Sequence, residues 1–401
     1  MGKRKGNASP MTGALSRTVE LEITDLTDQG AGIGRDESGR VIFVEGAVPG
    51  DRILCRIFRS KKNYALARIE RILRSSPDRV EPRCPHFGVC GGCSLQHLRY
   101  DAQKQWKKKL VFDALIRIGG FADFELDHAY LGFFASEPFR YRNKGRFFAT
   151  GAPHFPGDPG PRFGMMARGS RRIVPITDCL LMPESFAERL AEAPQDSDRP
   201  EMGSPLILKS YGDTHQIADI QVTVRGDAFF QVNDRVADAM YRQALAMVDL
   251  RPGDRVVELY SGVGGLTLLF AQVTGNALGV EINRDAVKSA WENARRNGLE
   301  GAVSFVCADV LDAVSCAAWS ELNPSPRLIV LDPPRAGCDP KVLDLLDAPE
   351  ILYISCDPAT LARDLRLLRA RGYLLRALSI HDMFAQTTRV ECIALIQRGE
   401  S

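Results

Sequence analysis

The strongest constraint on the fold lies in residues 236–401, where short apolar runs and amphipathic stretches take turns. Residues 256–260, 277–281, 303–306, 328–331, 351–355 and 373–379 are aliphatic runs of strand length. Residues 286–297 and 360–371, set between such runs, carry apolar side chains at helical spacing. A parallel strand pair needs a crossover, and a helix in that crossover covers the sheet face. Strands alternating with helices therefore predict a doubly wound, mainly parallel α/β domain over 236–401, closed by a further strand at 389–396. In open sheets of this kind, sites form at the carboxyl ends of the strands.

The N-terminal part reads differently. Residues 1–16 are polar and read as a frayed end, whereas 17–75 carry about five short alternating strands separated by turns such as Val48-Pro49-Gly50-Asp51. That pattern predicts a small OB-like β-barrel. Its last part is basic, with Lys61 and Lys62 among several arginines. Residues 76–235 predict a central mixed α+β domain: a cysteine-rich loop, a helix at 101–118, and strands from about 133. Two polar interruptions follow, a Gly/Pro-rich loop at 151–160 and a linker at 193–205. In the central domain Arg140, Arg142, Lys144 and Arg146 alternate with other residues. On a strand they would share one face, where a phosphate backbone relieves their mutual repulsion.

Composition narrows the class. The chain has 401 residues, 45% of them apolar and 25% charged, with a net charge of +2. These are globular values, which exclude a largely disordered or fibrous chain. Nucleic acid would have to be held by local basic faces rather than by net charge. No apolar run is long enough for a transmembrane helix, and the basic start leads into no signal-like segment, so a cytoplasmic protein is expected; a monomer is expected separately. Ten cysteines without a signal peptide point to metal or catalytic thiols rather than disulfides.

Two motif groups carry the chemistry. In the first, Glu258-Leu-Tyr260-Ser-Gly262-Val-Gly264-Gly265 follows a strand and opens a helix, so that its backbone can approach a ligand closely. Glu281 ends the next strand, where a carboxylate can accept ribose hydroxyls. The third glycine of the dinucleotide fingerprint would fall at Thr267, which disfavours a dehydrogenase. The loop is instead similar to that of S-adenosyl-L-methionine (SAM) methyltransferases, with Asp309 placed to reach an adenine amine. In the second, Asp332-Pro-Pro-Arg335-Ala-Gly337 and Ser355-Cys356-Asp357-Pro358 end two successive strands. Cys356 precedes a helix start, where a thiol is expected to have a lowered pKa. Cys338 is its rival; Cys307, Cys316 and Cys392 read as core or filler.

These motifs, with Phe229-Phe-Gln231-Val-Asn233, resemble the RNA uracil-5 methyltransferases of the TrmA/RumA family over nearly the whole chain. The resemblance implies a TRAM barrel at the N-terminus, RNA as partner and SAM as methyl donor. It makes Cys356 the nucleophile and Glu391 the general base. Gln231, Tyr260, Gly262, Gly264, Gly265, Glu281, Asp309 and Asp332 become SAM contacts. The family's usual Pro and His before the base are replaced here by Ala385 and Arg389, while the glutamate stays in register. The implied chemistry suits the parts, since uracil C5 becomes nucleophilic only after a thiolate adds at C6.

Cys84-x5-Cys90-x2-Cys93, with Cys179 later, is a thiolate set suited to zinc or an iron–sulfur cluster. The family resemblance implies a 4Fe–4S cluster, to which a structural role is assigned because methyl transfer needs no electron. It also favours 23S rRNA over tRNA as substrate. Two other readings are an RNA cytosine-5 methyltransferase, whose Pro-Cys and Thr-Cys signatures are missing, and a non-catalytic RNA-binding factor.

Overall fold

The structure is a computed structural model and describes residues 17–150, 163–192, 202–210, 214–224, 230–316, 319 and 326–399. The predicted frayed end at 1–16, the loop at 151–160, most of the linker at 193–205, and Phe229 lie outside the described residues. The chain divides into two compact units: the first contains 17–88, 93–103 and 386–388, the second most of the remainder.

The first unit is built on a closed barrel of β1 (Thr18–Leu26), β2 (Gly32–Arg35), β3 (Val41–Glu45), β4 (Arg52–Ser60) and β5 (Tyr64–Arg74), in the order β1-β2-β3-β5-β4. Strict alternation sends Leu21, Ile23, Ile42, Val44, Ile53 and Ala65 inward. The turn before β4 is held by Asp51, whose buried carboxylate accepts N–H bonds from Val48 (2.8 Å) and Ser76 (2.9 Å) and pairs with Arg79. Closure also changes the reading of the basic strands. Arg56 and Arg68 face Glu70 and Glu45 on neighbouring strands, and Arg74 on β5 lies 3.8 Å from Glu22 on β1, so part of the apparent excess of charge is internally paired. Lys61 and Lys62 stand exposed between β4 and β5.

The second unit centres on an eight-stranded sheet. Its parallel part consists of β13 (Val256–Leu259), β14 (Ala277–Glu281), β15 (Val303–Cys307), β16 (Leu328–Leu331) and β17 (Glu350–Ser355). To these are added β18 (Tyr373–His381), β19 (Glu391–Arg398) and, from the central segment, β6 (Tyr130–Phe134). The order is β15-β14-β13-β16-β17-β19-β18-β6. The predicted last strand does form, but β19 runs antiparallel and lies between β17 and β18. Both faces are covered, one by a cluster including Leu268, Phe270, Ala290 and Met240, the other by one including Leu361, Leu365, Val342 and Leu115.

A separate four-stranded sheet contains β7 (Lys144–Ala149), β8 (Phe163–Met166), β9 (Ile173–Pro175) and β10 (Pro205–Lys209), and β11 (Thr214–Ile217) pairs antiparallel with β12 (Ile220–Thr223). Here the expectation of four cations on one strand is corrected. Only Lys144 and Arg146 lie on β7, where Arg146 points outward. Arg140 precedes the strand in a left-handed conformation (φ 56°) and forms a two-pronged ion pair with Asp178 at 2.7–2.8 Å. Its guanidinium is thus tied to a loop rather than aligned with the others. Arg142 turns back to donate to the Lys144 carbonyl (3.2 Å).

Candidate active site

The sheet reverses its winding between β13 and β16, and the loops that leave this point carry most of the predicted residues. After β13 the backbone takes positive φ at Tyr260 (68°), Gly262 (53°) and Gly264 (82°). Gly264 caps the helix Gly265–Thr274. A Cβ at Gly264 would lie 2.9 Å from the Phe305 ring, and one at Gly265 would lie 2.7 Å from the Tyr241 hydroxyl. At Gly262 a Cβ would meet nothing within 4 Å, which leaves its surface open to a ligand. Packing thus explains two of the glycines, and the left-handed backbone with open space beside it marks the third.

Carboxylates hold the loop from below. Glu281 accepts the Gly262 N–H through Oε2 (3.0 Å) and the Asn283 N–H through Oε1 (2.8 Å). Glu258, buried at the end of β13, accepts the Thr267 N–H (2.7 Å) and its hydroxyl. Burial, reinforced by Asp332 and Glu281, pushes Glu258 up to about 8 against the pull of Thr267. Burial pushes Asp332 up to about 7. Asp309 caps the helix Val310–Ser315 by accepting from Leu311 N through Oδ1 (2.9 Å).

The buried polar atoms without a partner include the Gln231 Oε1, the Asn143 Oδ1 and the Ser261 Oγ. The backbone carbonyl of Gln231 is fixed by the Asn143 side chain (3.0 Å). Orphaned buried groups call for a ligand or water. Together with the open Gly262 surface and the cluster of acids, they fit a polar ligand bearing hydroxyls and positive charge, as SAM does.

The second half of the site is set by strand register. Ser355 on β17 pairs with Cys392 on β19, so Glu391 is the residue of β19 next to Cys356. Asp357 caps the following helix, Pro358–Ala370, by accepting from Ala359 N (3.0 Å) and Thr360 N (3.1 Å). The expectation of a lowered thiol pKa is overturned. Burial and the carboxylates of Glu391, Asp332 and Asp357 push Cys356 up to about 11, and only the Arg335 guanidinium pulls it back. Glu391 is buried, and loss of water with the nearby Asp332 raises it well above an ordinary glutamate. Cys338, the rival nucleophile, is buried against Tyr353 and pushed up to about 12. Cys307 and Cys316 are exposed and Cys392 is buried.

The cysteine-rich loop is divided between the units, with Cys84 and Cys93 in the first and Cys90 and Cys179 in the second. All four are partly exposed. Gly92 donates its N–H toward Cys90 Sγ (3.4 Å), and Gln96 donates to Cys93 Sγ (3.2 Å). Among the described residues no group of three or more His, Cys, Asp or Glu is placed to hold a metal ion. The central iron–sulfur domain is therefore not borne out as a structural feature, although sulfur donors with N–H bonds aimed at them suit cluster ligation.

Sequence reasoning passed over Arg335, Ser261 and the support that Asn143 gives to Gln231. Arg335 stands in a motif already noted, but its relation to Cys356 and Glu391 needs the tertiary fold. Ser261 is an ordinary serine until its burial is known.

A doubly wound sheet with a glycine loop after its first strand, an acid ending the second and an N-terminal barrel defines a SAM-dependent methyltransferase with an appended TRAM domain. Comparison with known proteins agrees. Residues 15–69 match the TRAM domain, 323–399 the family described as tRNA (Uracil-5-)-methyltransferase, and 253–354 that described as RNA cap guanine-N2 methyltransferase. The 23S rRNA (uracil(1939)-C(5))-methyltransferase RlmD of Azoarcus sp. is 33% identical, over 94% of this chain and 99% of the relative. An uncharacterized RNA methyltransferase of Chlorobaculum tepidum is 32% identical, over 95% of this chain and 96% of its own length. The crystal structure of Pyrococcus abyssi tRNA (uracil-54, C5)-methyltransferase with S-adenosyl-L-homocysteine superposes with a TM-score of 0.68. It covers 94% of this chain and 100% of the other at 23% identity, and so attests to the fold. The chain belongs to the family of RNA uracil-C5 methyltransferases. No helix among its described residues is long and apolar enough to cross a membrane.

Proposed function

We propose that this chain methylates C5 of a uridine in 23S rRNA, using Cys356 as nucleophile and Glu391 as general base. The observation that carries the assignment is the register of β17 and β19, which sets Cys356 beside Glu391 at the open end of the sheet, next to the Asp332 loop. SAM, when bound, supplies the electrophilic methyl group. Gln231, Ser261, Gly262 and Glu281 orient it, with Tyr260, Gly264, Gly265, Asp309 and Asp332 shaping the same pocket. The Cys356 thiolate adds to C6 of the uracil and moves an electron pair to C5. Once C5 carries the new methyl group, the Glu391 carboxylate takes the C5 proton and the Cys356–C6 bond breaks. Glu391 acts in that step as the ionised carboxylate, beside Cys356. The uridine leaves its stack to reach the thiol. Lys61, Lys62, Lys144 and Arg146 are the cations proposed to hold the RNA backbone.

Full-length similarity to proteins named for 23S rRNA favours rRNA over tRNA. The test is a covalent trap with 5-fluorouridine-substituted rRNA and tRNA fragments, since fluorine at C5 cannot leave as a proton. A SAM-dependent adduct with the wild type and none with Cys356→Ala supports the assignment, and the RNA that traps names the substrate. Turnover of unsubstituted RNA by Cys356→Ala would refute it.

We also propose that Cys84, Cys90, Cys93 and Cys179 hold a structural 4Fe–4S cluster. The Cys-x5-Cys-x2-Cys spacing and the N–H bonds aimed at Cys90 and Cys93 support this. Anaerobically purified protein should be brown, with iron and acid-labile sulfide in equal amounts. A colourless, zinc-loaded protein would exclude the cluster.

A further inference from the structure

The loop bearing Asp332 and Arg335 and the loop bearing Cys356 are joined by a buried carboxylate that the reaction itself does not use. Asp364 lies on the helix Pro358–Ala370, which starts directly behind Cys356, and is fully buried. Its Oδ2 accepts from the Cys338 N–H (2.9 Å) and the Tyr353 hydroxyl (2.6 Å). Its Oδ1 pairs with Arg363 (2.7 Å). Arg363 in turn donates to the carbonyls of Ala336 (3.0 Å) and Cys338 (3.1 Å). Between these anchors the Gly337 N–H closes a turn on the Pro334 carbonyl (2.8 Å). Gly337 has φ 76°, and a Cβ there would come within 2.5 Å of both Arg363 and Asp364. The turn that presents Arg335 is thus gripped on its C-terminal side, and glycine is required for the grip.

We propose that Asp364, acting through Arg363, is a positioning residue for methylation, holding the 334–337 turn so that Arg335 faces Cys356. The ionisable groups that act on Cys356 are the anions Glu391, Asp332 and Asp357 and the cation Arg335. Arg335 also acts on Glu391. A loosened turn withdraws the one cation and leaves three carboxylates, which disfavours the thiolate. The link to catalysis rests on the nucleophile assignment above; the link to thiol ionisation does not.

The experiment measures alkylation of Cys356 against pH in the ligand-free full chain, by mass spectrometry of its peptide, with kcat and KM for SAM in parallel. Asp364→Asn should move the titration to higher pH and lower kcat roughly tenfold, the effect of a one-unit change in thiol ionisation, with KM for SAM held within about twofold. Arg335→Gln should give the same shift, and the double variant no more than either, because the two act through one contact. A folded Asp364→Asn with wild-type titration and kcat would overturn the proposal, as would additive shifts. Should Asp364→Asn fail to fold, Arg363→Gln removes the bonds to Ala336 and Cys338 and is read in the same way. Methylation by Cys356→Ala would remove the nucleophile assignment alone, with the alkylation titration still deciding the positioning role.

Discussion

The most direct test of the electrostatics is the pH dependence of stability through Glu258. This carboxyl is 3% exposed and rises from an ordinary 4.5 to about 8 on folding. The folded state therefore holds its proton more tightly than the unfolded chain. The stability it contributes is complete below pH 4.5 and is lost as pH rises through about 8. The gap of about 3.5 units (8 less 4.5) corresponds to a loss on the order of 5 kcal/mol at about 1.4 kcal/mol per unit. Asp332, at about 7, acts in the same direction. Glu258→Gln isolates the effect, because an amide oxygen in place of Oε2 still accepts both the Thr267 N–H and the Thr267 hydroxyl. The assay is urea unfolding of ligand-free protein at half-unit steps from pH 5 to 8.5. The wild type should lose several kcal/mol across that range and Glu258→Gln distinctly less, with the remaining slope carried by Asp332 and Glu391. Bound SAM, a sulfonium cation, should favour the ionised acids and flatten the wild-type slope. Parallel stability curves for wild type and Glu258→Gln would refute the reasoning.

Other perturbations follow from the same geometry. Lys107 and Asp382 are both fully buried, 2.5 Å apart; Lys107→Met strands a buried carboxylate and should cost about 3–5 kcal/mol, while the double variant Lys107→Met, Asp382→Leu recovers most of it in urea unfolding. Burial raises Asp51, but Arg79 and the N–H groups of Ser76 and Val48 outweigh it and leave it below the ordinary range. Its contribution is therefore present above pH 4 and lost as pH falls, so Asp51→Asn should flatten the acid limb of the stability profile. Gly264→Ala forces a side chain into the left-handed region and against Phe305, at about 1–2 kcal/mol before any clash; SAM affinity by calorimetry should fall at least in proportion, and an unchanged Kd would show that the loop does not depend on that glycine.

Elements governed by local periodicity were legible in the sequence, and those governed by pairing were not. The five barrel strands and the five parallel strands each show a run of the right length between turn residues, so their positions could be read directly. The 140–146 segment shows the limit of that reading. Alternating cations look like one face of a strand, but Asp178, 38 residues away in sequence, draws Arg140 out of the pattern. Cys356 fails for a related reason. Its position before a helix could be seen, whereas Glu391 and Asp332, which outweigh that position, arrive from other strands. Gln231 could be singled out from its motif, whereas Ser261 becomes a candidate only when burial leaves its hydroxyl without a partner.

The placement of Glu391 shows how much rests on one feature of topology. The parallel strands all end at the site, so a residue at the end of any of them arrives there without further cause. Glu391 is instead the first residue of its strand. Because β19 runs antiparallel to β17, its beginning lies where β17 ends, beside Cys356. Were β19 parallel, Glu391 would lie at the opposite edge of the sheet, some seven residue steps of about 3.3 Å away, or roughly 23 Å from the thiol. β18 ends at this same edge, with His381 opposite Glu391, so the loop before β19 turns the chain back there. That return explains why Asp382 and Phe384 are tied down by the buried Lys107, through the ion pair and the Phe384 carbonyl (3.1 Å), and Ala385 by the Tyr141 hydroxyl (3.0 Å). The loop needs anchors of its own, since no regular structure holds it. Ala385, standing where the family has proline, keeps its carbonyl in such an anchor. Arg389 lies with its guanidinium 5.9 Å from the Phe384 ring centre, so the two departures from the family pattern fall in the loop that sets the strand rather than in the register that sets the base.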